Sequence, residues 1–196
     1  MHNKIFFFIA LALFVFSCGQ PTEKDREVTE DIKPVLLESE THKAFFHNLS
    51  KLCGKSFKGE EIYRSHHGES VADKDLVMQV MACTNNYIYI PFHIGDDRSR
   101  TWMFVVEDGK LRLSHDHRDE DGTPHEQTMY GGYADDTGTA YVQNFPADEY
   151  SAELIEDGGG NIWTIKLDEN LTTYTYRLER DGEKRWRVDF NLQQPL

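Results

Sequence analysis

The stretch THKAFFHNLSKLCGKSFKGEEIY, residues 41–63, is where the periodicity of the chain changes. Its first half places Ala44, Phe45, Leu49 and Leu52 at helical spacing, with Thr41 as cap and Gly54 just past the end, which predicts one amphipathic helix over 41–53. Beyond it the helical period does not return. Short alternating apolar runs predict strands near 57–63, 75–83, 86–93, 101–107, 110–117, 139–145, 161–167, 172–179 and 185–191. Asn85-Asn86, Asp108-Gly109 and Asp181-Gly182 tolerate the positive φ of tight hairpin turns, so neighbouring strands are antiparallel.

A meander this long must hide its edges by closing on itself or splitting into two sheets. The predicted class is therefore mainly β: a single N-terminal helix leading into an antiparallel meander closed as a barrel. A β-sandwich or jelly roll is the alternative, with 118–138 and 146–160 as crossovers. The residues LSKLCGKSFKGEEIY resemble the opening of calycin-type barrels, where a short helix runs into a Gly-x-aromatic-x-Gly first strand. Phe57 stands where those families usually carry tryptophan, flanked by Gly54 and Gly59. The resemblance implies a barrel that binds a small ligand. The span from FHIGDDRSRTW through LRLSHDHRDEDG to MYGG is also similar to a group of bacterial secreted proteins without an established activity.

The N-terminus predicts export. Lys4 precedes the apolar run IFFFIALALFVF, about a dozen residues and short of the roughly twenty that span a bilayer, so residues 1–17 read as a signal peptide. VFSC, residues 15–18, resembles the lipobox of bacterial lipoproteins, which implies cleavage after Ser17, lipidation (palmitate among the acyl groups) at Cys18 and a membrane anchor in the cell envelope, facing periplasm or cell exterior. Residues 18–40 are charged, contain two prolines and predict a flexible acidic tether, leaving 41–196 as a single β-rich domain.

A formal net charge of −13, from 21 basic and 34 acidic residues, argues against a nucleic-acid partner. Cys53 and Cys83 remain as a pair in an exported chain, and a disulfide between them is predicted.

Candidate chemistry centres on LRLSHDH, residues 111–117. Strand alternation puts Leu111, Leu113, His115 and His117 on one face and Arg112, Ser114 and Asp116 on the other. Two imidazoles two residues apart suit a divalent metal if a third ligand arrives from a neighbouring strand, and His93, closing the strand NYIYIPFH, is the predicted third member. The loop GDDRSRTW, residues 95–102, offers Arg98 and Arg100 for bidentate contact with a carboxylate or phosphate, or for salt bridges to its own aspartates. Tyr130, before Gly131-Gly132, completes the predicted ligand-binding set.

DEDG lacks the alternating oxygen ligands of an EF-hand, GKS lacks the P-loop glycine, and no G-x-S-x-G is present. No catalytic residue is assigned. A binding or structural role is favoured over catalysis, with a metal-dependent barrel enzyme and an envelope interaction module as alternatives.

Overall fold

The computed structural model describes residues 36–196. Ten strands form one antiparallel sheet, ordered β6-β5-β4-β3-β2-β1-β10-β9-β8-β7. In chain order they are β1 (Ser56–Arg64), β2 (Leu76–Gln79), β3 (Tyr87–Ile94), β4 (Asp97–Glu107), β5 (Lys110–His117), β6 (Tyr130–Tyr133), β7 (Val142–Pro146), β8 (Asn161–Leu167), β9 (Thr173–Arg180) and β10 (Glu183–Pro195). The sheet curls until its two edges, β6 and β7, face each other, giving a nearly closed barrel consistent with the calycin-like expectation. Among the described residues no helix is long and apolar enough to cross a membrane.

The alternation that marks the strands in sequence also fills the barrel. In β3 the side chains of Ile88, Ile90, Phe92 and Ile94 are buried while Tyr87, Tyr89, Pro91 and His93 are only partly covered. Phe92, Trp102, Tyr174, Tyr176 and Phe190 meet in the centre, with Phe92–Trp102 and Trp102–Tyr176 ring centroids 4.6 Å and 4.7 Å apart. The barrel is thus packed by stacked rings, each contributing large apolar burial and a geometric preference for its neighbour. Tyr87 and Tyr89 stack on the outer face instead.

Helix α1 (Glu40–Ser50) closes one end. Phe45 and Leu49 are buried in the core, the Asn48 side chain donates to the Ala140 carbonyl at 2.9 Å, and His42 Nε2 donates to the Asp135 carbonyl at 3.1 Å. Its cap is Ser39, whose hydroxyl accepts from the His42 N–H, and not Thr41. The end of the predicted tether packs on the domain: Leu37 is 6% exposed within the core, and the Glu38 N–H donates to the Gly109 carbonyl at 2.8 Å. The signal peptide, Cys18 and most of the predicted tether lie outside the described residues.

Cys53 and Cys83 form the predicted disulfide, joining the turn after α1 to the segment between β2 and β3 with Cα atoms 6.2 Å apart. It closes a loop of 30 residues, which the chain-entropy model values at about 3–4 kcal/mol. Reduction, or Cys53→Ser with Cys83→Ser, is expected to lower the unfolding free energy by that amount, read as a lower urea midpoint, while leaving far-ultraviolet dichroism of the refolded protein unchanged. An unaltered midpoint contradicts this.

Asp108-Gly109 and Asp181-Gly182 are positive-φ hairpin turns as the sequence predicts. Asn85-Asn86 is not; Ala82 takes the positive φ in that connection, at 44°. A fourth tight turn at Gly95 (φ 60°) starts β4 four residues earlier than the apolar pattern indicates. Inside the predicted crossovers lie β6 and a short helix, α2 (Glu149–Leu154).

β6 and β7 meet in a narrow seam. The Asp148 N–H donates to the Gly131 carbonyl and the Asp135 N–H to the Asn144 carbonyl, both at 2.9 Å. A methyl group on Gly132 would overlap the Pro146 carbonyl oxygen, and one on Gly131 the Leu113 carbonyl oxygen. Only glycine permits such approach. Buried Ser151 on α2 latches the seam, accepting from the Gly131 N–H at 2.6 Å and donating to Asp148 Oδ1 at 2.6 Å, while Asp148 also pairs with Arg112 at 2.5 Å.

Candidate functional site: the barrel mouth

The end opposite α1 is the mouth, where β4 begins and β5 ends. Register places Arg100 beside His117, Trp102 beside His115 and Phe104 beside Leu113. As predicted by alternation, both histidines face inward, His115 buried at 3% exposed and His117 half-buried above it.

His115 has a defined tautomer. Its Nδ1 lies 3.1 Å from the Tyr130 carbonyl, which can only accept, so Nδ1 carries the proton. Nε2 is then a lone pair, 3.0 Å from the Tyr176 hydroxyl, which donates to it. The imidazole stacks on the Tyr130 ring at 4.7 Å and meets Trp163 at 5.0 Å. Burial pushes its pKa down to about 3, so it is neutral near pH 7. His115 is a polar member of the aromatic core with both nitrogens satisfied.

His117 Nε2 is 3.1 Å from the Tyr130 hydroxyl. Burial, with the Arg100 guanidinium nearby, lowers His117 to about 4, and burial raises Tyr130 to about 12, so the phenol keeps its proton and the imidazole stays neutral. The pair forms a neutral floor beneath the mouth.

Next to His117, through its register neighbour Arg100, residues 96–100 and the β5–β6 loop bound a cleft of about 760 Å³. On the first wall Asp97 pairs with Arg100 and accepts from the Ser99 N–H at 2.8 Å. Burial opposes ionisation of Asp97, but the hydrogen bonds from Ser99 and Arg100 outweigh it and hold its carboxyl at about 2. On the second wall Arg118 Nε donates to Asp116 at 2.8 Å and His125 Nε2 meets Asp119 at 2.8 Å. The walls are tied together where the Arg118 N–H donates to the Ser99 carbonyl at 2.9 Å.

Of the residues predicted for ligand binding, Arg98 and Arg100 line the cleft; His117 is the register neighbour of Arg100 and bonds Tyr130 without either lining it, and His115 lies in the core. His93 does not join them. The alternation of β3 turns it to the face opposite Phe92, and burial, then the nearby Arg98, lowers its pKa. The predicted triad of His93, His115 and His117 as metal ligands is therefore not assembled; among the described residues no three His, Cys, Asp or Glu side chains converge as metal ligands.

Arg118 and Tyr176 were not singled out as site residues from sequence. Arg118 follows directly on the inward pair and contacts only Asp116, Gly122 and Ser99 nearby, whereas Tyr176 sits at an inward position of β9 and meets His115 only because the sheet closes. The interior also holds unmatched polar atoms, the Tyr174 hydroxyl and Gln143 Oε1, both buried and without a hydrogen-bond partner among the described residues. No protein-family model matches the chain, and a search of curated proteins finds no relative.

Proposed function

We propose that this chain is a lipid-anchored protein of a bacterial cell envelope whose barrel is a non-catalytic binding module, taking a small amphipathic ligand at its mouth. The observation that carries the ligand reading is the division of the barrel into a ring-filled interior and an open, polar cleft. Stacked Phe92, Trp102 and Tyr176 occupy the space that a hollow barrel would offer a ligand. The cleft, by contrast, has a volume in the ordinary range for small-molecule sites and converging guanidinium, imidazole and carboxylate groups. The neighbouring His117–Tyr130 pair favours recognition over catalysis: it is neutral at both ends, with neither partner poised to exchange a proton near pH 7.

The metal-enzyme alternative loses its basis with His93 on the opposite face of β3. An interaction module without a small ligand is the remaining alternative, and the filled interior is what favours it.

Nuclear magnetic resonance of the full mature chain distinguishes these readings. Small charged and amphipathic compounds are expected to shift the ring resonances of His117 and His125 and not those of His42 at the opposite end. Compounds that move no mouth resonance at millimolar concentration would leave the interaction module. For the anchor, Cys18→Ala is expected to move the protein from the membrane fraction to the soluble fraction of the envelope; retention with the membrane sinks that part of the proposal.

A further inference from the structure

The walls of the mouth cleft carry three arginines, Arg98, Arg100 and Arg118, against four carboxylates, Asp96, Asp97, Asp119 and Glu120. Most of these charges are already matched. Arg100 is held by Asp97, Arg118 by Asp116, and Asp119 faces His125. Three stand apart. Arg98 uses one guanidinium nitrogen on the Gly95 carbonyl at 2.6 Å and, among the described residues, forms no ion pair. Asp96 and Glu120 likewise enter no ion pair and accept no side-chain hydrogen bond among the described residues.

The free charges are divided between the walls. Arg98 belongs to the turn that opens β4, and Glu120 to the loop after β5, so an unmatched cation and an unmatched carboxylate border one cavity from different elements. A ligand of single charge gains one contact and meets the opposite wall's like charge. A molecule with an oxyanion at one end and an ammonium at the other satisfies both. Arginine suits the oxyanion because its planar fork donates to carboxylate or phosphate oxygens in pairs.

Resting on the binding role proposed for this cleft, we infer that its ligand is a small zwitterion, its oxyanion bound by Arg98 and its primary ammonium by Glu120; Asp96 lies on the same turn as Arg98 and is not assigned to either end. Two sources carry this chemistry: a free amino acid or short peptide, and the ethanolamine headgroup of a phospholipid.

The test is calorimetric and magnetic-resonance titration of the full mature chain with glycylglycine, phosphoethanolamine, and vesicles of phosphatidylethanolamine in phosphatidylglycerol, against acetate, inorganic phosphate and ethylamine. A zwitterion is expected to bind about tenfold tighter than any singly functional probe. Arg98→Ala and Glu120→Gln, both exposed positions, are each expected to remove that advantage while leaving the urea midpoint unchanged. Tighter binding of glycylglycine than of phosphoethanolamine or the vesicles identifies the peptide source, and the reverse order the headgroup.

Equal affinity for acetate or phosphate and the zwitterions overturns the inference while leaving the cleft a binding site. An advantage that survives Glu120→Gln overturns it as well. Silence of every probe at His117 and His125 removes the binding reading beneath it.

Discussion

Acidification from pH 7 to pH 4 is expected to destabilise the fold by about 3 kcal/mol through His115 alone, with a smaller contribution from half-buried His117. In the unfolded chain an imidazole takes up its proton near pH 6.5; inside the barrel His115 does so only at about 3, and His117 at about 4. Between those values the unfolded state binds protons that the folded state refuses, so stability declines as pH falls, at about 1.4 kcal/mol per pH unit for each fully buried imidazole. Well above pH 6.5 both states are neutral and these two residues confer no slope. Asp97 acts in a lower window. Its carboxyl at about 2 keeps a stabilising contribution that is present above the ordinary carboxylate range and lost as pH drops through it.

The interval from pH 6.5 to 4.5 is therefore diagnostic for the histidines. Urea unfolding at half-unit steps across it checks the slope, and His115→Asn is the control. Asparagine cannot take a proton, so this variant is expected to be less stable at pH 7, through loss of the Tyr176 and Tyr130 contacts, yet flatter with pH. A wild-type profile that is level across the interval contradicts the burial argument.

Gly132→Val is expected to cost at least about 3 kcal/mol and to part the barrel at its seam, because the new side chain has no room beside the Pro146 carbonyl. The obstacle is backbone, held by the Asp148–Gly131 hydrogen bond on one side and the β7–β8 ladder on the other, so it cannot rotate away as a side chain would. Gly159→Ala is the comparison. A methyl group there makes only ordinary contact with Ala152, at 3.5 Å, and should change stability by less than about 1 kcal/mol. Thermal unfolding of the two variants side by side measures the difference; a Gly132→Val protein as stable as Gly159→Ala contradicts a closed seam.

Much of the fold was legible because alternation reports a half-buried strand directly. LRLSHDH gave the inward placement of His115 and His117, and Asp108-Gly109 gave a turn with the φ values it needs. YGGY in β6 was not legible. Glycine has low strand propensity, and these two glycines serve close approach to carbonyls that are distant in sequence. His93 illustrates a different failure. Ile88, Ile90 and Phe92 already define the inward set of β3, so the same alternation assigns His93 to the outside; proximity to a strand end was the wrong criterion. Whether the barrel is filled depends on how rings from β3, β4, β9 and β10 interlock, which no single strand encodes.

The sheet also has a temporal consequence. Its weakest junction lies between β6 and β7, which are close in the chain, whereas the ladder joining its two arcs pairs the first strand with the last, Phe57 with Pro195 and Gly59 with Phe190. Hairpins within each arc can form as soon as their own residues are available. The circle has no closing ladder until the final strand has been made, because β10 supplies the partner that β1 needs on one whole flank. Contacts of such sequence separation form late and slowly. A nascent chain with this topology therefore stays open until β10 is available to pair with β1, leaving strand edges and ring-bearing faces uncovered for most of its synthesis.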